Sequence, residues 1–592
     1  VEWSTGTFGN EDRLPRVPLP SLAHSCERFL EWCAPLLTPA QLEATAAELV
    51  AFQQPDGAGA GLQAALERYN DSEGVHSWLD TFWPRRYLGR RDRIALNANF
   101  FFLFRDTGQS QLERAAGLIA AALDYKRRLD HEEIPPIIQR GQALSMVQHK
   151  YLFSETRIPG PVQDSVRVPY SPQWPGPSRE RHIVVFFHGN AVRMEVLAED
   201  GSAYTMDDLV AGLRAVMTAA GVRPSASVGH LTTKARAEWA ASRDALLAAG
   251  NAAALDTIET ALFCVCLEDR TPDGTLDTCD QLLHGDSGNR WFDKAVSFIV
   301  FPDGQAGINV EHCGLDGTTI LSFVDTLLTT PVPAGPSRGA PPIASIDFTI
   351  DDDLRADIAA AAGSFADFAA ATESSVVEFD GFGADTVKQL GMSPDAFVQM
   401  AYQLAHRRSN GFIGATYESI ATRHWQHGRT EAMRVVTPEV LAFVSIMDDP
   451  EADPAVKRAA FRAAAQAHVV RAQQCQAGDA PEQHLWELQL IALRRGEASP
   501  PLFATPGWLV MRDDYLSTSS APSTNIQFFG FGSTSSHCIG VAYVLLPDRF
   551  NLYLSTPRAV GDEMQRFAEQ LRRAVSDLTG LLEVDRSASL SI

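Results

Sequence analysis

No cysteine pair in this 592-residue chain has the CxxC spacing, and the eight cysteines are scattered except for Cys264 and Cys266. That pattern argues against a zinc site or a disulfide framework and predicts reduced thiols in an intracellular, cytoplasmic protein. No apolar run approaches the roughly 20 residues of a bilayer span; "VSFIVF" and "NFFFLF" are among the longest. No signal peptide is evident, and the valine start reads as a chain processed or cut from something larger. Positive charge is scarce: the net charge is -23, a field that repels phosphate and argues against a nucleic-acid partner. No repeat of solenoid period occurs. What is present, 45% hydrophobic and 21% charged residues, is the make-up of an ordinary globular protein. The length exceeds what one core can serve.

Helical periodicity marks "SCERFLEWCAPLL", "PAQLEATAAELVAFQQ", "GQSQLERAAGLIAAALDYKRR", "TMDDLVAGLRAVMTAAG" and "RDALLAAGNAAALDTIETA". "RHIVVFFHGNAVRMEVL" reads as two strands joined at His188-Gly189-Asn190, and "AVSFIVFPDGQAGINVEH" as a hairpin. Residues 329–342, "TTPVPAGPSRGAPP", form the clearest linker and divide the chain into 1–340 and 341–592. Beyond it, "SPDAFVQMAYQLAHRR" is a helix capped by Ser393, with Phe397, Ala401 and Leu404 on one stripe. "WLVMRDDYLSTSS", "NIQFFGFG" and "CIGVAYVLL" read as strands. Strands and helices mixed in both halves predict two α/β domains.

Several motifs carry chemistry. "GDSG" at residues 285–288 matches the nucleophile loop of trypsin-like serine proteases, but those are small, all-β and disulfide-rich; a glycine-rich turn is the reading kept. "HEEIPP" lacks the second histidine of a zincin. His312 stands just past an apolar strand, with Asp316 and Gly317 four and five places on. A general base needs a rigid element and a second group that fixes its tautomer, and Asp316 is spaced to be that group. Taken alone, His312 also fits a hydrogen-bonded structural histidine.

"HCGLDG" is an HxxxDG motif, and with it the sequence resembles the chloramphenicol-acetyltransferase-like superfamily. "LFSETRIPGPVQDSV", "NRWFDKAVSFIVFPDGQAGINVEH", "SPDAFVQMAYQLA", "TYESIATRHWQHGRTEAMR" and "YLSTSS" resemble its carnitine/choline acyltransferase family, from about residue 14 to about residue 560. The resemblance implies two domains, each a mixed sheet with helices, with an active-site tunnel at their interface. It implies that His312 takes the acceptor's hydroxyl proton, that Asp316 orients His312, and that Ser519 donates to the oxyanion. Tyr417, Ser419, Thr430, Ala432, Gln483 and Ser517 fall at acceptor-site positions, and Lys388 and Asp395 at donor-binding positions. The donor would be a phosphopantetheine or coenzyme A thioester, with no bound cofactor and no metal.

Two departures from the family pattern bear on substrate. Carnitine enzymes hold the acceptor's carboxylate with an arginine in a segment like "DRHLL"; here the segment is "EQHLW" and Gln483 takes that place. Ala432 likewise replaces a carboxylate-binding threonine. A neutral, hydroxyl-bearing acceptor suits an amide that both donates and accepts. On the donor side, "FGADTVKQ" keeps Lys388 but has Ala384 and Gln389 where relatives have lysines for the nucleotide 3′-phosphate. Together these resemble the offloading acyltransferase domains of fungal highly reducing polyketide synthases, and imply an acyl carrier protein as partner and a monomer as isolated domain. A free-standing acyl-CoA enzyme, a condensation-type enzyme with an amine acceptor, and a non-catalytic scaffold remain as alternatives.

Overall fold

A strand buried on both faces belongs inside a sheet, with a partner on each side, and Phe100–Phe104 is buried at every residue. It holds that place in the computed structural model of the chain, which describes residues 2–589, with side chains through residue 584. It pairs antiparallel with Ala306–Val310 on one side and with Ile526–Phe531 on the other. The full order of this eight-stranded sheet is Ile343–Ser345, Asn190–Glu195, His182–Phe187, Cys264–Leu267, Val296–Val300, Ala306–Val310, Phe100–Phe104 and Ile526–Phe531. The three central strands from His182–Phe187 to Val296–Val300 run parallel, and the remaining pairs are antiparallel. The two-residue turn at His188 and Gly189 has φ of 52° and 71°, the left-handed pair a tight hairpin requires.

The second sheet has six strands, in the order Thr372–Asp380, Arg549–Pro557, Ile539–Leu545, Asp514–Ser520, Ala415–Ala421 and Thr430–Arg434. It too is mixed: Asp514–Ser520 is parallel to both its neighbours. Helices Pro394–Asn410, Pro454–Gln476 and Gly561–Ser589 belong with this sheet. Ser393 caps the first of these, Pro394 opens it, and Phe397, Ala401 and Leu404 are buried, as their spacing predicts.

The chain forms two compact units. One comprises the stretch up to Arg13, Trp83–Ser374 and Ser523–Gly532; the other comprises Leu14–Phe82, Ser375–Pro522 and the chain from Ser533 onward. The linker at 329–342 was expected to mark the boundary, at 340/341; by contacts the division instead falls after Ser374. Residues 341–374 stay with the first unit because Ile343–Ser345 pairs with Asn190–Glu195 and the helix Asp352–Ala370 packs on Val228–Thr233; two further excursions cross the expected boundary. The helices Leu22–Cys33, Pro39–Gln53 and Ala58–Asn70 pack with Glu482–Arg494 and Pro506–Met511 of the second unit, and Ile526–Phe531 adds an edge strand to the first sheet. "WLVM" is helical rather than extended: Thr505 caps it through the Trp508 amide and Pro506 opens it. Gly250, at φ 92°, separates Arg236–Ala248 from Ala252–Thr260, which the sequence reading ran together. All eight cysteines are buried free thiols. Among the described residues no helix is long and apolar enough to cross a membrane.

Candidate active site

The hairpin Val296–Val300/Ala306–Val310 delivers His312, and Asp316 opens the helix Gly317–Thr329. Asp316 occupies the N-cap position but makes no side-chain cap bond. Its carboxylate is turned elsewhere: Oδ2 accepts from Gln148 Nε2 at 2.9 Å, and Oδ1 lies 3.5 Å from His312 Nδ1. Gln148 completes the clamp, its Oε1 accepting from the Asp316 amide and the Thr319 hydroxyl, both at 2.8 Å. The orienting carboxylate is thus fixed in the interior, 2% exposed, while the imidazole is 29% exposed. Nδ1 directed at Asp316 leaves Nε2 to take a proton.

Aromatic rings hold the imidazole plane. Tyr87 stacks on it at 5.0 Å and Phe100 meets it edge-on at 5.2 Å. Buried Arg157 ties both flanks of this arrangement: Nη2 donates to the Tyr87 carbonyl at 2.7 Å, and Nη1 pairs with Glu311, the residue before His312, at 3.3 Å. Glu311 in turn accepts from the Cys313 amide. Arg157 Nε also donates to Asp164 at 2.7 Å, and against the cost of burial Arg236 and Arg157 hold the Asp164 carboxyl below the usual carboxylate range. At Gly314 a Cβ would sit 2.7 Å from a Glu155 carboxylate oxygen, whereas nothing crowds Gly317, the glycine of the HxxxDG motif.

In the second unit, strand register decides which side chains share a face. Tyr417 pairs with Arg434, Ser419 with Ala432, Ala421 with Thr430, and Tyr417 with Ser517. Directly opposed residues point the same way and alternate residues along a strand repeat. Tyr417, Ser419, Thr430, Ala432, Ser517 and Ser519 therefore lie on one face. Among the described residues the hydroxyls of Tyr417, Ser419, Thr430, Ser517 and Ser519 make no hydrogen bond to the protein, whereas Thr518, on the other face, donates to the Tyr417 carbonyl at 2.9 Å. Gln483, on the helix Glu482–Arg494, is 1% exposed; its Nε2 donates to the Thr430 carbonyl at 3.1 Å, and its Oε1 is buried without a partner. The cation on this face, Arg434, is committed to Glu482 and Asp514 at 2.5–2.6 Å.

The residues expected on the donor side lie on consecutive helices of the same unit. Lys388, on Ala384–Gln389, is exposed; Asp395, in the first turn of Pro394–Asn410, is half-buried and accepts from the Tyr543 hydroxyl. His312 and Asp316 are brought together in one unit, and the residues expected to bind the acceptor are brought together in the other. Gln148, Tyr87 and Arg157 did not emerge from the sequence. Gln148 lies 168 residues from Asp316, and no motif flags it.

The choline/carnitine O-acyltransferase family model matches residues 17–573. Carnitine O-acetyltransferase of Columba livia is 31% identical over 97% of this chain and 94% of its own length, and that of Homo sapiens 30% over 98% and 95%. Mitochondrial carnitine O-palmitoyltransferase 2 of Xenopus tropicalis is 28% identical over 98% and 93%. A relative named as mitochondrial lends no weight to the cytoplasmic expectation. The chain belongs to the choline/carnitine O-acyltransferase family, and its reaction class is acyl transfer.

Proposed function

We propose that this enzyme moves an acyl group from a phosphopantetheine thioester to the hydroxyl of a neutral, hydroxyl-bearing alcohol. His312 Nε2 takes the hydroxyl proton, the oxygen attacks the thioester carbonyl directly, and the proton passes to the departing thiolate, so no acyl-enzyme forms. Ser519 supplies a hydrogen bond to the tetrahedral oxyanion. The observation that carries the acceptor assignment is the set of unengaged hydroxyls on one sheet face beside a buried, unpartnered Gln483 oxygen. A hydroxyl-bearing ligand can supply the donor that the Gln483 oxygen lacks, whereas a carboxylate would bring no donor and would meet Arg434 already held by Glu482 and Asp514.

For the donor, the family match over nearly the whole chain supports acyl-CoA. None of those relatives is named for polyketide release, so the carrier-protein reading rests on Ala384 and Gln389 alone. The test is to incubate the protein with acyl-CoA, acyl-phosphopantetheine or acyl carrier protein, each with carnitine, choline and glycerol, and to identify the ester by mass spectrometry. Glycerol ester should form faster than carnitine ester; the reverse order would overturn the acceptor assignment. A charge-assisted phosphate contact contributes about 1.5–3 kcal/mol, and Lys388 is the one lysine retained at these positions. Acyl-CoA and acyl-phosphopantetheine should therefore differ in kcat/KM by no more than about two orders of magnitude.

Ser519→Ala should lower kcat by about 10²–10³-fold with little change in either KM, because an oxyanion donor acts in the transition state. Steady-state kinetics checks this, and a fall confined to KM would reassign Ser519 to ground-state binding.

A further inference from the structure

On the strand Ala415–Ala421, Tyr417 and Ser419 face the proposed acceptor and Glu418 points the opposite way, into the helical layer. Glu418 Oε2 lies 2.6 Å from Nε2 of His468, on the helix Pro454–Gln476, and both side chains are buried. Asp395 completes the group: ligand-type atoms of the three residues all lie within 4.8 Å of one another. A metal ion here would have to displace the direct Glu418–His468 contact, whereas a shared proton explains it. Hydrogen bonds run on from Asp395. It accepts from the Tyr543 hydroxyl; Gln399 Nε2 donates to Tyr543 at 3.1 Å and to the Thr518 hydroxyl at 3.0 Å. Thr518 precedes Ser519 and holds the Tyr417 carbonyl. The cluster is thus bonded to the backs of the two strands whose front faces carry Tyr417, Ser419 and Ser519.

We propose that Asp395, Glu418 and His468 form a proton-holding clamp that positions the strand bearing Tyr417 and Ser419, so that acceptor binding weakens when the clamp loses its proton. This rests on the acceptor reading above; Glu418 and His468 are positioning residues and touch no substrate.

A buried carboxylate and a half-buried one beside one buried imidazole cannot both ionise cheaply. Burial, reinforced by Asp395, pushes the Glu418 carboxyl up to about 8. Burial opposes charging of His468, but Glu418 and Asp395 outweigh it and push the imidazole up. Both shifts are upward, so the stabilisation is full below the ordinary values. It is lost as pH rises through the folded value of about 8 for Glu418. The other ionisable groups around the clamp do not replace the lost proton. Tyr402 on the helix of Asp395, Tyr543 on the strand Ile539–Leu545 and Cys475 on the helix of His468 are all pushed up, chiefly by burial, and stay neutral. Glu431, on the strand beside Ala415–Ala421, accepts from the Ala432 amide and adds a further acid on this side. Arg471 donates to the Arg434 and Val436 carbonyls, and burial lowers it to about 10.

The test compares wild type with Glu418→Gln, which keeps a hydrogen-bonding group toward His468 but removes one buried carboxylate. Amide hydrogen exchange of residues 415–421 in the substrate-free protein, corrected for intrinsic rates, is measured at about pH 7 and about pH 9.5. Wild type should lose protection by roughly tenfold over that interval, and acceptor KM should rise by about tenfold with kcat changing less than about threefold. Glu418→Gln should show neither change. If it fails to fold, Asp395→Asn removes the other like charge and should flatten the exchange profile in the same way. Identical pH profiles in wild type and variant would overturn the clamp. Coupled exchange without any ester product would leave the clamp standing and overturn the acyl-transfer reading instead.

Discussion

Replacing His312 with alanine should lower kcat/KM for ester formation by about 10²–10⁴-fold, the range of a positioned general base. The loss should appear in kcat, because removing the proton acceptor raises the barrier without taking away the surfaces that hold acceptor or donor. The fold should survive. Asp316 keeps both bonds to Gln148, the Cys313 amide keeps its bonds to Glu311, and Arg157 continues to tie Glu311 to the Tyr87 carbonyl. What is lost is an imidazole already 29% exposed and its stacking on Tyr87. Initial rates with the ester quantified by mass spectrometry, alongside a thermal melt, check both halves. Turnover above about a tenth of wild type would reject His312 as the base, since catalysis by positioning and an oxyanion donor alone does not approach that level. A collapse in melting temperature would instead assign it the structural role that a lone histidine also fits.

That His312 could be singled out at all follows from local geometry. A strand end, a four-residue spacing and a helix start place base and orienting carboxylate within one short segment, so their relation is written in consecutive residues. The residues expected to bind the acceptor came from the family resemblance; the period of two then places Tyr417 and Ser419 on the other face from Glu418, and Ser517 and Ser519 on the other face from Thr518, before any register is known. What could not be read were partners set by long-range packing. Gln148 reaches Asp316 from 168 positions away, and His468 reaches Glu418 from 50. Each is an ordinary residue on an ordinary helical turn until the chain is folded. The edge strand Ile526–Phe531 was legible as a strand, but not as a member of the first sheet: its alternation gives a face, not a neighbour. "WLVM" shows the limit for short apolar runs. Its composition fits strand or helix, and the Thr505-Pro506 start signal decided it.

The same reasoning gives the second large effect, a gain of function. Gln483→Arg combined with Ala432→Thr should raise kcat/KM for carnitine on the order of a thousandfold, and glycerol-type acceptors should lose ground. The family pattern places an arginine and a threonine at these two positions for the acceptor's carboxylate. In this chain a carboxylate arriving there would meet the neutral Gln483, while Arg434 on the same face is held by Glu482 and Asp514. Bringing a carboxylate into such a site without a counter-charge costs several kcal/mol, and each factor of ten in affinity is about 1.4 kcal/mol. The arginine supplies that counter-charge from a position now filled by a 1%-exposed side chain. The threonine restores a hydroxyl directly opposite Ser419, its antiparallel partner through residue 432. The two changes should act together, because a hydroxyl contact contributes little while the carboxylate lacks its cation; the double variant should exceed the product of the single ones. A competition assay with carnitine and glycerol in one tube reads the switch directly as a ratio of esters. If the ratio does not move, the carboxylate-binding position lies elsewhere in the protein, and Gln483 is a structural amide holding the Thr430 carbonyl. If carnitine ester rises in the single Ala432→Thr variant as much as in the pair, the hydroxyl rather than the missing charge is what wild type lacks.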